Sequence, residues 1–153
     1  MNTTSQILAL DPDFGSQLGR GLGAIALYAI VGLVLILLGF YAIDWTTPGK
    51  LSDLVRTGKP NAVLVTSAGL VSMAFIIVVA IFSSASDLSA GLITSLSYGL
   101  VGIVVQVAAV RILEWATRID IGDIIQSERF SPASVVVASA HVALGLVVAV
   151  AIS

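Results

Sequence analysis

Four long apolar stretches, each able to cross a bilayer, govern what this chain can fold into. The first runs from Gly21 to Ile43 and the second from about Asn61 to Phe82, both without a charge. A third runs from Leu92 to about Val110, with Arg111 and Glu114 just beyond it. The fourth starts near Pro132 and reaches Ile152, with His141 as its one titratable side chain. A hydrocarbon core of about 30 Å is crossed by roughly 20 mostly apolar residues in a helix. In a chain of 153 residues, too little remains to cover four such stretches as a water-soluble core. Composition agrees, with 58% hydrophobic and 10% charged residues, where a soluble domain carries about 25% charged residues. Lipid offers no partner to a backbone amide, so the stretches are expected to be helices. Pro60 and Pro132 stand at helix starts, where a missing N–H costs least. The expected fold is an all-α membrane protein with four transmembrane helices.

The same inventory excludes several function classes. Seven Lys and Arg against nine Asp and Glu leave a net charge of −2, so a basic nucleic-acid binder is not expected. The chain has no cysteine and one histidine, which removes thiolate chemistry and any His-rich metal or catalytic cluster. No Ser/His/Asp set and no phosphate-cradling glycine loop is present, so no catalytic residue, cofactor or metal site is assigned and enzymatic activity is not expected. The first twenty residues do not read as a secretory signal. Asp11 and Asp13 precede the single positive charge, Arg20, and the apolar run that follows is too long.

Orientation follows from the Lys and Arg in the short loops. Connector 44–60 holds Lys50, Arg56 and Lys59, and the region 111–131 holds Arg111, Arg118 and Arg129. The opposite face holds Arg20 alone. Connectors 44–60 and 114–131 are therefore expected in the cytoplasm, with both chain termini outside.

Sliding the sequence against itself by 70 residues pairs Gly21, Leu22, Tyr28, Val31, Gly32, Val34, Trp45 and Thr47 with Gly91, Leu92, Tyr98, Val101, Gly102, Val104, Trp115 and Thr117. Both tryptophans, a tyrosine pair and two glycine pairs are more than apolar composition supplies. Asp44 falls on Glu114 and Asp53 on Asp123. This pattern reads as two copies of a helix–connector–helix unit. Each copy has two spans, so the copies cross in the same direction as a parallel repeat. The expected organisation is an N-terminal segment 1–20, a first repeat 21–82, an outer turn 83–90 and a second repeat 91–153.

The connectors repeat too. Leu51, Leu54 and Val55, and again Ile121, Ile124 and Ile125, have i, i+3, i+4 spacing with charges between them. A short amphipathic helix at the membrane surface fits this spacing, with Trp45 and Trp115 as interfacial anchors; a polar loop with scattered apolar residues is the other reading. An apolar span ending in Asp44, then Thr47-Pro48-Gly49-Lys50-Leu51, then Asn61-Ala62 opening the next span, resembles the domain of unknown function 350 family. That family is also classed as uncharacterised protein family 0719. The resemblance covers about residues 18–153 and implies a small multi-pass protein of the bacterial inner membrane, without supplying an activity. The second copy departs from the motif, with Arg118-Ile119 where the first has Pro48-Gly49 and Pro132-Ala133 near the Asn61-Ala62 equivalent.

An ionisable group within a span is a functional candidate by default, which singles out His141. Gln106, on the antiparallel third span, reaches similar depth. Each lies on a stripe of small or polar residues: Gly99, Gly102, Gln106 and Ala109 on one span, Ser134, Ala138, His141 and Gly145 on the other. The stripes can line a polar path in which His141 senses protons, or they can let helices pack closely with Gln106 and His141 hydrogen-bonded across the contact. The equivalent positions in the first copy are Ile36 and Gly69, so a symmetric relay is not expected. Gly32, Gly102, Tyr28 and Tyr98 are candidate helix-packing residues, and Gly15, Gly19 and Gly23 form a further small-residue ladder. Asp44 and Glu114 mark the connector ends of the first and third spans, as interfacial charges or as a carboxylate pair for acid/base work or cation attraction. Two functions are compatible with this inventory. One is a non-enzymatic scaffold or accessory subunit in the lipid bilayer, acting as a homo-oligomer or with a membrane-protein partner. The other is an oligomeric channel or transporter for a small solute or ion.

Overall fold

Six helices follow from this pattern in the computed structural model, which describes residues 13–85 and 87–153. They are α1 (Phe14–Thr46), α2 (Leu51–Arg56), α3 (Pro60–Phe82), α4 (Leu88–Thr117), α5 (Ile121–Gln126) and α6 (Pro132–Ile152). Four of them, α1, α3, α4 and α6, are membrane-spanning by length and apolarity. Their apolar residues run around the whole circumference, as suits a helix with lipid on one side and protein on the other. Asp11, invoked against a secretory signal, lies outside the described residues, as does Ser86 in the outer turn.

Two helices are longer than their apolar stretches. α1 begins at Phe14, so it takes in Gly15, Gly19 and Arg20 before the uncharged run opens. α4 begins at Leu88 and continues beyond Val110 through Arg111 and Glu114 to Thr117. Hydropathy bounds the part of a helix that sits in hydrocarbon, whereas backbone hydrogen bonding continues into the interface. At 1.5 Å per residue, the 33 residues of α1 extend about 50 Å, well beyond the hydrocarbon core.

Local chemistry fixes the other helix ends. Pro60 and Pro132 occupy the first helical positions of α3 and α6. Asp87 caps α4 by accepting from the Ser89 amide, and Asp120 caps α5 by accepting from the Asp123 amide at 3.0 Å. α4 stops at Arg118, which takes the left-handed conformation at φ 56°.

α3 is the central helix, packed against all five others. It pairs with α6 and with α4, while α1 rests on α3 and α4 from one side and buries only Leu35 and Gly39. Two apolar clusters divide the interior by depth. One, including Leu35, Met73, Ile76, Ile103 and Val148, fills the half towards the 83–90 turn. The other joins Leu51 of α2 and Ile121 and Ile125 of α5 to Ala62, Val65 and Val137 at the opposite end of α3 and α6. Both connector segments are thus helical, and their apolar positions pack into the end of the bundle.

Candidate functional site

The polar centre of the molecule lies where α3, α4 and α6 meet. Gln106 of α4 is 1% exposed and His141 of α6 is 5% exposed, so both are enclosed within the protein at mid-span. The Gln106 Nε2 donates to the backbone carbonyl of His141 at 3.0 Å and to Ser72 Oγ of α3 at 2.9 Å. Ser72 Oγ in turn donates to the same carbonyl at 2.8 Å. A carbonyl oxygen only accepts, so the amide nitrogen of Gln106 is the atom that faces it. Three helices are thereby tied at one backbone oxygen. The link between Gln106 and His141 runs through the main chain of α6, and the imidazole is turned elsewhere. Its Nδ1 lies 3.0 Å from the Val137 carbonyl, one turn back along α6. That carbonyl requires Nδ1 to carry the proton, which leaves Nε2 as an acceptor in the neutral ring.

Close approach of α3 and α6 makes this arrangement possible. A Cβ on Gly145 would collide with the Ser72 side chain and come within 3.0 Å of its Cα. Glycine at this position lets the two backbones meet, as in small-residue helix contacts within membranes.

On the connector side of this tie lies a cavity of about 30 Å³, bordered by Thr66, Gln106 and His141 and reaching Thr47 and Arg111. Leu51 and Ile125 of the connector helices also border it. Two polar atoms here are enclosed and have no protein partner among the described residues, Gln106 Oε1 and Thr66 Oγ1. A second cavity of about 90 Å³ lies beside it, between His141, Ala140, Val110 and Glu114, and its lining is almost wholly apolar.

The two carboxylates at the connector ends act alike. Asp44 Oδ1 accepts from the Ser52 amide at 3.3 Å, in the first turn of α2. Glu114 Oε1 accepts from the Ile121 amide at 3.2 Å, at the start of α5, while its other oxygen pairs with Arg111. Unsatisfied amides at a helix start carry partial positive charge, and a carboxylate neutralises it. Each long helix thus anchors the connector helix that follows it.

The remaining sequence candidates are dispersed. Trp45 and Trp115 project from the connector ends of α1 and α4, 91% and 82% exposed. The Tyr28 hydroxyl shares a 3.4 Å hydrogen bond with Ser84 Oγ and occupies the space that a side chain at Gly91 would need. Tyr98 is exposed on α4. Gly32 faces Ile77 and Ile81 of α3, and Gly102 faces Ile76 of α3 and Ile152 of α6. Gly15, Gly19 and Gly23 face open space.

Sequence reasoning missed Ser72, Thr66 and the part played by Asn61. Asn61 is fully buried at the start of α3, where Nδ2 donates to the Arg129 carbonyl at 2.8 Å and Oδ1 accepts from the Ser131 amide at 2.9 Å. Lys59 Nζ donates to the Gln126 carbonyl at 2.7 Å. The start of α3 therefore holds the second connector in place. Position 133, near the equivalent of Asn61, is alanine and has no side chain able to reciprocate. The missing signal was positional: an Asn directly after Pro at a helix start pointed to a clamp.

Comparison with known proteins agrees with the transmembrane architecture. The chain is 36% identical over 135 residues to a UPF0719 transmembrane protein of Mycolicibacterium paratuberculosis, covering 88% of this chain and 89% of the relative. It is 34% identical over 146 residues to UPF0719 transmembrane proteins of Mycobacterium bovis and Mycobacterium tuberculosis, covering 92% of this chain and 96% of each relative. No solved structure matches it. The model of the Domain of Unknown Function (DUF350) family matches residues 17–152, nearly the whole chain, and this transmembrane protein belongs to that family.

Proposed function

We propose that the chain is a non-enzymatic scaffold or accessory subunit of the bacterial plasma membrane, acting as a homo-oligomer or with a membrane-protein partner. One observation carries this reading. Ser72 Oγ, Gln106 Nε2 and the His141 carbonyl tie three helices together at mid-span, and an apolar cluster of Leu35, Met73, Ile76, Ile103 and Val148 closes the interior on the turn side. A conducting path through one protomer would need a continuous line of polar groups or water across that cluster. The exposed length of α1, with two buried residues in 33, supports a role in association.

Its organisation is a duplicated helix–connector–helix unit with a pseudo-two-fold axis along the membrane normal. Support comes from the residue identities at an offset of 70 and from the equal length and matching start of α2 and α5. α1 also rests on α3 as α4 rests on α6, and Asp44 and Glu114 anchor the connectors in corresponding fashion. The connectors face the cytoplasm and the termini lie outside, on the bias of six Lys and Arg against one. Trp45 and Trp115 then lie at the cytoplasmic interface as anchors.

Purification in mild detergent, followed by native mass measurement and identification of bound proteins, tests the reading. A defined homo-oligomer or a stoichiometric partner is expected. A monomer without partner, at concentrations that preserve the fold, would contradict it.

A further inference from the structure

The cavity beneath the Ser72–Gln106–His141 tie combines features that a dry packing gap does not. Its volume of about 30 Å³ exceeds the roughly 10–15 Å³ needed for a water molecule. Gln106 and Thr66 border it, and their Oε1 and Oγ1 atoms are enclosed and have no partner among the described residues. Gln106 cannot turn its amide to pair that oxygen, because its nitrogen is held by Ser72 and the His141 carbonyl. Enclosed polar atoms left unpaired are costly, and ordered water normally satisfies them.

Charge selects the occupant. Among the described residues no carboxylate borders the cavity, and the Arg111 guanidinium at its edge disfavours a cation. An anion would meet the unpaired carbonyl oxygen of Gln106 and an Arg111 already paired with Glu114. A small neutral donor fits both orphan atoms.

We propose that this cavity is a built water site, entered from the connector side at Thr47 and Arg111, in which bound water donates to Gln106 Oε1 and pairs the Thr66 hydroxyl beside the His141 ring. The apolar cluster on the turn side makes the access one-sided. Through it the single imidazole of the chain communicates with solvent on the connector face and not on the turn face.

Having one histidine makes the chain its own reporter. In lipid bilayers, water-edited solid-state NMR on the full chain, labelled at His, Gln, Leu and Ile, reads transfer of magnetisation from water to each side chain. Early transfer to the His141 ring and the Gln106 amide is expected, with late transfer to Leu35 and Ile76. The paired substitutions Thr66→Val and Gln106→Leu should abolish the early transfer at His141, while Thr66→Ser retains it and controls for folding. Transfer to His141 as late as to Leu35 in the unsubstituted chain would overturn the proposal. So would early transfer that persists in a folded Thr66→Val, Gln106→Leu chain.

Discussion

One carbonyl oxygen, that of His141, is the meeting point of three helices, and its donors set what substitution there does. Replacing Gln106 by Leu removes two hydrogen bonds but also removes the orphan Oε1. Hydrogen bonds between membrane helices average about 0.6 kcal/mol and reach about 1.7 kcal/mol, so a loss of about 1 kcal/mol is expected for Gln106→Leu in a reversible unfolding assay in detergent or bilayer. Gly145→Ala acts differently, because its new methyl group would meet Ser72 and force α3 and α6 apart. Overpacking of this kind costs about 1–3 kcal/mol, and the same assay should show Gly145→Ala as the more damaging change. Gly19→Ala meets open space, so its unfolding midpoint should match or slightly exceed that of the parent chain. Gln106 and His141 are conspicuous in the sequence because polar groups are rare in these spans. Ser72 and Thr66 are not, since a hydroxyl within a helix commonly turns back to its own main chain. Ser67 does this, donating to the Val63 carbonyl at 2.7 Å, whereas Ser72 reaches across to α6. Helix periodicity alone does not separate the two behaviours.

The elements carry a different lesson. Each span was legible because some twenty apolar residues in a row admit few other folds, yet the helix ends were not. α1 and α4 run past their apolar windows because helix propensity, and not hydropathy, decides where they stop. The connector helices were legible as an i, i+3, i+4 pattern, which points to an apolar side resting on the membrane surface. Leu51, Ile121 and Ile125 instead pack into the bundle end. Asp44 and Glu114 hold the connector helices at their first turns, and losing such a cap costs about 1 kcal/mol. Asp44→Ala and Glu114→Ala should therefore raise amide hydrogen exchange in α2 and α5 respectively, leaving exchange in the middle of α3 unchanged. Arg118 is the reverse case. A left-handed non-glycine residue costs about 1–2 kcal/mol, so Arg118→Gly should raise the unfolding midpoint of the chain.

At the scale of the whole molecule, the charge asymmetry and the apolar closure on the turn side lead to separate expectations. In the orientation proposed from the bias of Lys and Arg towards the connectors, the C-terminus lies outside. A reporter active only in the periplasm, fused after Ser153, should be active, and one inserted at Gly58 should be silent. On the proposed reading, the exposed α1 and the apolar cluster on the turn side suit a protomer that associates and does not conduct. The most direct measurement is solute and ion flux into liposomes holding the purified, correctly folded chain at its native oligomeric state. Flux no greater than in protein-free liposomes is expected, for protons, small cations and small neutral solutes alike. Flux that rises with protein content and falls on Gln106→Leu would contradict it.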